Sequence, residues 1–297
     1  MRNKVVMLVG AAALVASTAF AGPGDWTFWG KFDTPLNNSG LKTAAAMRLE
    51  MDTNGNAYIG HYGDSQMQIH LVKFVPPSGE TLTVPAYTRV VDHYTTVVAN
   101  GVMGMVPDSV GGMYYAVDIG GNQMNYVGRV NADGTTDTAF RIDNTTRRVN
   151  AITLQPNGDM LVWPLLGGAG VWRFDGSTAA QLADIPTTLT GNIRDARRVN
   201  VGGVDKHFLN RSGNLMRVDL ATGVVDAGLV DTSDTPITVT DVGGAGSYGV
   251  GYFPKDGTLI YCTHDNLPTS SARSTIYVVD PATRRAVQVI DGLEQVG

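Results

Sequence analysis

A short polar turn centred on glycine recurs along the chain at nearly even spacing, and this repeat limits the fold more than any other feature. Its Asn-Gly, Asp-Gly and Gly-Gly pairs are typical of β-hairpins, because these residues tolerate positive φ. Gly55 and Gly257 stand four repeats apart, which gives about 50 residues for each repeat. That length is typical of a propeller blade. The turns lie at 52–56, 108–112, 155–159, 202–205 and 254–258.

A second landmark follows each turn and supports the same repeat independently. It is a short apolar run, followed each time by a turn rich in Pro, Asp, Gly, Ser or Thr. Four of the five copies carry Lys or Arg at their third position, which is the alternation expected of a strand with one face in water. The copies are 71–74, 127–130, 171–174, 215–218 and 276–279. Each repeat therefore reads as three strands, two of them in the hairpin.

These repeats predict an all-β chain folded as a β-propeller of antiparallel blades. Five blades are favoured, and six if the first, longer interval contains an irregular one. The aromatic run Trp26–Phe32 precedes the first repeat and could supply a strand that closes the ring. The alternatives are a stacked β-solenoid or two β-sandwiches. The 36 glycines and the 16% charged residues argue against long surface helices and coiled coils.

The N-terminus has the three parts of a secretory signal peptide. Arg2 and Lys4 precede an apolar run, and Ala19-Phe20-Ala21 is the small-x-small pattern of a cleavage site. We therefore expect a signal peptide at 1–21 and one β-propeller domain at 22–297, exported to the periplasm or beyond the cell. The apolar run is short for a membrane span.

Charge and cysteine content exclude several classes of protein. The chain has a net charge of −5, and loss of the signal peptide makes it −7, which argues against a generally basic nucleic-acid-binding protein. A single cysteine excludes an intramolecular disulfide framework and a multi-cysteine zinc site. Cys262 lies in an apolar run and is interpreted as a small buried residue rather than a nucleophile. His207, next to Phe208, is likewise interpreted as a packing residue.

The turns resemble those of secreted bacterial propellers of the NHL, virginiamycin B lyase and SMP-30/gluconolactonase type. Asp52–Tyr58 is similar to the Asp-x-x-Gly-Asn turn that these families repeat, and Asn131–Phe140 resembles one delta-60 repeat. The resemblance covers most of the chain after residue 21, mainly through residues that shape the scaffold.

The gluconolactonase resemblance implies a divalent cation, Ca or Mg, held by a Glu, two Asn and an Asp, and lactone hydrolysis with the metal as Lewis acid. Asn150 matches the first Asn segment and Asp265 lies close to the place of the Asp. Tyr248 stands where the second Asn is expected, and Ala44-Ala45-Ala46 occupies the place of the Glu. Two of the four ligand positions therefore depart from the pattern.

Blade geometry predicts a ligand site independently of this resemblance. In a propeller, the ends of second strands and the starts of first strands face one mouth of the axis. Counting from the turn glycines places polar residues there. From second strands they are His61, Asp118, Asn210 and His264, and from first strands they are Arg148, Arg194 and Tyr248. The alternative is that these are ordinary polar residues at strand ends, solvated by water.

Five arginines form a basic cluster in this otherwise acidic chain: Arg147, Arg148, Arg194, Arg197 and Arg198. Guanidinium groups pair bidentately with carboxylates, so the cluster favours an acidic sugar or an organic acid; the alternative is a solvated edge. The leading hypothesis is a non-enzymatic exported scaffold for a small-molecule, glycan or protein ligand. The alternative is a metal-dependent lactonase or lyase using Asn150, His264 and Asp265, and a third is a structural role in assembly.

Overall fold

The computed structural model describes fourteen stretches of the chain. They are 46–52, 56–61, 68–75, 86–94, 101–118, 125–144, 148–166, 169–190, 193–211, 214–231, 233–237, 249–253, 257–264 and 273–294. The chain divides into two compact units, within which the described residues span 46–190 and 193–294. The predicted signal peptide and Trp26–Phe32 lie outside the described residues.

The unit at 46–190 contains three four-stranded sheets, each antiparallel and in chain order. Sheet 1 consists of β1 (Ala46–Met51), β2 (Ala57–His61), β3 (Gln68–Val75) and β4 (Ala86–Tyr94). Sheet 2 consists of β5 (Gly101–Pro107), β6 (Met113–Asp118), β7 (Asn125–Val130) and β8 (Thr136–Asn144). Sheet 3 consists of β9 (Arg148–Leu154), β10 (Asp159–Leu166), β11 (Ala169–Asp175) and β12 (Ile185–Thr190).

The unit at 193–294 contains two more sheets of the same kind and one short ladder. Sheet 4 consists of β13 (Ile193–Val201), β14 (Val204–Arg211), β15 (Asn214–Val218) and β16 (Val225–Ala227). The ladder pairs β17 (Leu229–Val230) with β18 (Pro236–Ile237). Sheet 5 consists of β19 (Gly249–Phe253), β20 (Thr258–His264), β21 (Arg273–Val279) and β22 (Ala286–Glu294).

The described part of the chain is all-β, as predicted, and it holds five four-stranded antiparallel sheets. Their first strands begin 45 to 56 residues apart, which matches the sequence repeat. The prediction of three strands in each repeat was wrong, because a fourth strand follows every second landmark. These outer strands carry few long apolar runs, so the sequence pattern did not reveal them.

The hairpin turns whose glycines are described have the backbone conformation that those glycines predicted. Gly202 and Gly203 have φ of 58° and 86° between Val201 and Val204, which pair directly. Two successive residues with positive φ are typical of a two-residue turn of type I′. Gly158 also lies at positive φ, with a value of 88°.

Sheet 2 has both faces buried, and the two-residue period of a strand explains why β6 is apolar from Met113 to Val117. Tyr115 and Val117 pack with Tyr58 of sheet 1 in one cluster. Tyr114 and Ala116, on the opposite face of β6, pack in another cluster with residues of sheet 3. The sheets of this unit therefore stack face to face.

Sheets 4 and 5 share a core of their own. Phe208 and Leu215 from sheet 4 pack against Val250, Leu259 and Tyr261 from sheet 5. Phe208, Leu259 and Tyr261 are fully buried. The unit at 193–294 therefore repeats the face-to-face packing seen at 46–190.

Candidate functional site

Each sheet begins with a hairpin, and the end of that hairpin away from its turn carries most of the predicted site residues. We call this end the open end. The register pairs there are Ala46–His61, Gly101–Asp118, Arg148–Leu166, Ile193–Arg211 and Gly249–Cys262. Strands β2, β6 and β20 end at His61, Asp118 and His264, where the sequence placed them.

Close backbone approaches bring the open ends of sheets 1, 2 and 3 alongside one another. A Cβ at Gly60 would lie 2.7 Å from the Cβ of Val102, and a Cβ at Gly104 would lie 2.7 Å from the carbonyl oxygen of Asn150. Only glycine permits these approaches without displacing its neighbour. The strand ends at His61, Asp118 and Arg148 therefore lie along one edge of this unit.

A bulge near the open end shifts the alignment that residue counting had given. One extra residue interrupts the first strand of sheets 1 to 4: Met47, Met103, Asn150 and Arg194. In sheet 3, Leu165 of β10 is a second extra residue. Measured from these bulges, His61 corresponds to Val117 and Arg211, while Asp118 stands one residue further along. His61 and Asp118 therefore occupy different register positions in their sheets. Counting from the turns could not reveal this, because a bulge leaves no fixed sequence signature.

Asn150 and Asn210 are completely buried. Asn150 is the extra residue of the bulge in β9, and Asn210 pairs with Asp195 across β13 and β14. Both were predicted to face a ligand. The structure places them inside their sheets, next to the open ends rather than on the surface.

Several predicted residues cannot be placed as side chains. Tyr248 and Asp265 lie outside the described residues, as do the side chains of His61, Asp118, Arg148 and His264. Within the described residues, no three His, Cys, Asp or Glu side chains group in a way that could hold a metal ion.

Asp195 is a buried acid that the sequence reasoning missed. Its side chain is 3% exposed, and its Oδ2 accepts a hydrogen bond of 2.9 Å from the backbone N–H of Val250. Its Oδ1 accepts from the N–H of Ala196 and from the guanidinium of Arg197, at 2.9 and 3.1 Å. Asp195 thus joins β13 to β19 next to their open ends. An acid inside the strand 193–201 was the available signal.

Two members of the predicted arginine cluster contact acids within sheet 4. Arg197 pairs with Asp195 and also donates to the carbonyl of Ala196. Arg198 lies 3.6 Å from the Asp205 carboxylate. Arg194 stays at the open end, beside the pair formed by Ile193 and Arg211. Arg211 was not singled out in the sequence, because counting from the turn glycine reached only as far as Asn210.

His207 is buried at 1% exposure between its cross-strand partners Arg198 and Val218. Burial, helped by the positive charge of Arg198, lowers the pKa of His207 to about 4, while Asp205 and Asp219 oppose the shift. The imidazole is therefore neutral at pH 7, which agrees with its interpretation as a packing residue.

Cys262 lies on β20, an inner strand of sheet 5, and pairs with Gly249 and with Ile276. Burial, with a contribution from the negative charge of Asp195, raises the pKa of its thiol to about 11. The thiolate is the nucleophilic form of cysteine, so this thiol is poorly suited to nucleophilic attack at pH 7. Cys262 is only partly buried, so it is a small strand residue with a protonated thiol rather than the buried residue that the sequence predicted.

The end of the sheets opposite the open end carries several turns that begin with an aspartate. Asp175, Asp219 and Asp280 each begin an Asp-x-x-Thr turn between the third and fourth strands and accept backbone N–H bonds within it. Basic side chains at that end pair with acids of the same sheet. These pairs are Arg129–Asp108, Arg173–Asp159, Lys206–Asp219 and Arg217–Asp226. The arginines predicted to face water at the third landmark position are thus part of ion pairs.

Tyr114 and Tyr115 have rings that could stack on a sugar if they were exposed, but both belong to the core. Tyr114 is 4% exposed and Tyr115 is 3% exposed. The Tyr114 hydroxyl donates to the carbonyl of Gly176, which ties sheet 2 to a turn of sheet 3.

Comparison with known proteins gives a likeness of fold. No protein-family model matches the sequence, and no curated protein sequence matches it. The major allergen Mala s 1 of Malassezia sympodialis is similar in structure, with a TM-score of 0.51 and 10% identity over 84% of this chain and 80% of the allergen. At that identity the likeness concerns the fold alone.

Two bacterial structures match more weakly. They are extracellular domains of a hybrid two-component system and of a one-component system from B. thetaiotaomicron, with TM-scores of 0.49 and 0.47 and 11% identity each. This chain covers 28% and 36% of their lengths, and 86% of its own residues are matched in both cases. In the described residues, no helix is both long and apolar enough to cross a membrane.

Proposed function

We propose that the chain is an exported, non-enzymatic β-propeller that binds a ligand at the open ends of its hairpins. The favoured ligand is an acidic sugar or an organic acid, free or as part of a glycan or protein. The observation that carries the proposal is the close approach of Gly60 to Val102 and of Gly104 to Asn150. It aligns three strand ends that bear His61, Asp118 and Arg148.

The propeller assignment is supported by the order and packing of the sheets. Each repeat is a four-stranded meander of similar length. Within each unit, the first strands of successive sheets contact one another: β1 with β5, β5 with β9, and β13 with β19. First strands that contact each other are expected where blades surround an axis. We assign five blades and propose that Trp26–Phe32 supplies the closing strand.

Export is supported by the signal-peptide pattern of residues 1–21. The lack of cysteine pairs does not oppose it, because exported proteins of this size can build a sufficient hydrophobic core without disulfides. The compartment follows as the periplasm or the exterior of the cell.

A binding role is supported by what the described polar groups do. His207 is buried and neutral, the Cys262 thiol is kept protonated, and both oxygens of Asp195 accept structural hydrogen bonds. Each of these groups could serve catalysis in another setting. Here each one has a structural contact that accounts for its position.

The test is a binding comparison between two matched arginine variants. Arg148→Ala removes a guanidinium at an open end, and Arg173→Ala removes one near the opposite end, where Arg173 pairs with Asp159. Both proteins are screened on an array of acidic sugars, organic acids and glycans, and their melting temperatures are measured. We expect Arg148→Ala to weaken an acidic ligand with little change in melting temperature, while Arg173→Ala binds like the wild type. Equal binding by both variants would remove the site.

A second experiment on the same protein tests the enzymatic alternative. Lactone turnover is measured with added calcium, with magnesium and with chelator, together with the melting temperature. Turnover that needs the metal and is lost in Asn150→Ala would contradict the proposal and favour a metal-dependent lactonase. Binding without turnover would support the proposal.

A further inference from the structure

We propose that Asn157, in the first hairpin turn of sheet 3, is a site of spontaneous deamidation, and that the contacts of this turn control its rate. Asn157 is followed by Gly158, and both residues are exposed to water. The sequence contains three Asn-Gly pairs, and this is the one whose two residues the structure describes in full. It lies at the end of the sheets opposite the open end, so the inference is independent of the proposed function.

The residue that follows an asparagine decides how easily the backbone can react with the asparagine side chain. Glycine has no side chain to hinder the approach, and no heavy atom lies within 4 Å of the place that a Cβ of Gly158 would take. In the reaction, the nitrogen of Gly158 loses its proton and bonds to Cγ of Asn157, the bond from Cγ to Nδ2 breaks, and ammonia leaves with that proton. Water then opens the cyclic imide at either carbonyl, which gives aspartate or isoaspartate. Only water is consumed and only ammonia is released, so nothing is oxidised or reduced.

The groups that take part in this reaction have hydrogen bonds in the turn. The N–H of Gly158 donates to the carbonyl of Gln155 at 3.0 Å. Oδ1 of Asn157 accepts from the N–H of Asp159 at 3.1 Å, and Nδ2 donates to Oδ2 of the Asp159 carboxylate at 2.9 Å. The reaction requires these bonds to break, so in the folded protein it proceeds from a state in which the turn has opened locally.

The product changes the charge and the length of the turn. The Asp159 oxygen that accepts from Asn157 also lies 2.9 Å from Nε of Arg173, and Asp159 pairs across the sheet with Asp175. An aspartate at position 157 replaces the donor to Asp159 with a second negative charge, and like charges so close together repel each other. Isoaspartate lengthens the backbone inside the turn, which Gln155 and Asp159 close by a hydrogen bond of 2.8 Å. We expect either product to weaken the first hairpin of sheet 3.

The test compares deamidation rates in the folded and the unfolded protein. The wild type, Asp159→Ala and Asp143→Ala are kept at pH 8 in buffer and in concentrated urea, and mass spectrometry of the tryptic peptide 149–173 follows Asn157. Dividing each folded rate by the rate of the same protein in urea removes the effect of the changed sequence. We expect a wild-type ratio of about one tenth or less, because a turn that is mostly closed slows the reaction. Asp159→Ala should raise the ratio about two- to tenfold, as loss of one hydrogen bond predicts. Asp143→Ala removes an acid from the exposed pair with Arg141 and should leave the ratio unchanged.

Several results would overturn the inference. A wild type that does not deamidate at Asn157 in urea would remove the site. Equal rates with and without urea would remove the control by the turn, and so would an unchanged ratio in Asp159→Ala. If Asp159→Ala fails to fold, hydrogen exchange at the Gly158 amide of the wild type measures how often the turn opens. Deamidation should then be slowed by at least the same factor, and a faster reaction in the folded protein would contradict the inference.

Two further variants test the effect of the product on the hairpin. Asn157→Asp is the aspartate product, and Asn157→Ser loses the side-chain amide without adding a charge. We expect Asn157→Asp to melt at the lower temperature, with a difference that shrinks as salt screens the charges. Equal melting temperatures at low salt would contradict the expected repulsion from Asp159.

Discussion

The carboxylate of Asp195 accepts the backbone N–H of Val250 at 2.9 Å, which joins the first strand of sheet 4 to the first strand of sheet 5. Both groups are buried. In the other unit, glycine lets first strands meet backbone to backbone, as Gly104 does against Asn150. The chain thus holds neighbouring first strands together in two ways, one polar and one through the absence of a side chain.

Replacing Asp195 with alanine should destabilise the protein by about 2–4 kcal/mol, because it leaves the buried N–H groups of Val250 and Ala196 without their acceptor. The free energy of unfolding in urea measures this. Asp143→Ala is the control, since Asp143 is 42% exposed in a surface ion pair with Arg141 and should cost less than about 1 kcal/mol. Equal losses in the two variants would mean that the contact with Val250 contributes little.

Adding a methyl group at Gly104 should destabilise the protein by about 1–3 kcal/mol, since the new Cβ would collide with the backbone of β9. The matched control is Gly249→Ala, where no heavy atom lies within 4 Å of the added Cβ. Thermal melts of both variants measure the difference. A harmless Gly104→Ala would show that the open ends of sheets 2 and 3 are further apart than described.

His207 should make the protein sensitive to acid between pH 6.5 and about 4. Its pKa is lowered from 6.5 to about 4 in the folded state, so the unfolded state binds more protons within that window. The stability that the neutral imidazole contributes is complete above pH 6.5 and is lost as the pH falls towards 4. That loss amounts to about 2–3 kcal/mol.

Urea unfolding across this pH range compares the wild type with His207→Gln, which cannot titrate. The carboxylates are the same in both proteins, so the difference between the two curves isolates the histidine. Parallel curves between pH 6.5 and 4 would contradict the buried, neutral state of His207.

The thiol of Cys262 should react slowly with alkylating reagents at pH 8. With its pKa raised to about 11, only about one thiol in a thousand is ionised at that pH, against about a quarter for an ordinary cysteine with a pKa near 8.5. Iodoacetamide labelling followed by mass spectrometry measures the rate, with the urea-unfolded protein as reference. Labelling of the folded protein at the unfolded rate would contradict the raised pKa of the thiol.

The sequence was sufficient to predict the hairpins because turn chemistry is local. Gly202 and Gly203 adopt the positive φ that a two-residue turn requires, and the glycine repeat anticipated this. The fourth strands were missed because pairing with the third strand, rather than a local sequence pattern, determines where they form. β16 has only three residues, and β22 follows the Asp-x-x-Thr turn at Asp280. That turn recurs at Asp175 and Asp219 and was the available signal.

The candidate site was predicted in part. The strand ends at His61, Asp118 and His264 followed from counting, but the register of the first hairpins did not, because the bulges at Met47 and Met103 shift it. Contacts between sheets could not be predicted from the sequence either. The buried bond from Val250 to Asp195 joins residues 55 positions apart.

The most direct test of the account is a map of backbone amide shifts while galacturonate is titrated into the isotope-labelled protein. The account predicts that the shifting amides cluster at the open ends, at residues such as Gly101, Asp118, Arg148 and Arg211. Amides of the hairpin turns, such as Gly111, Gly158 and Gly203, should stay in place. Shifts confined to the turns, or no shifts at saturating galacturonate, would contradict it.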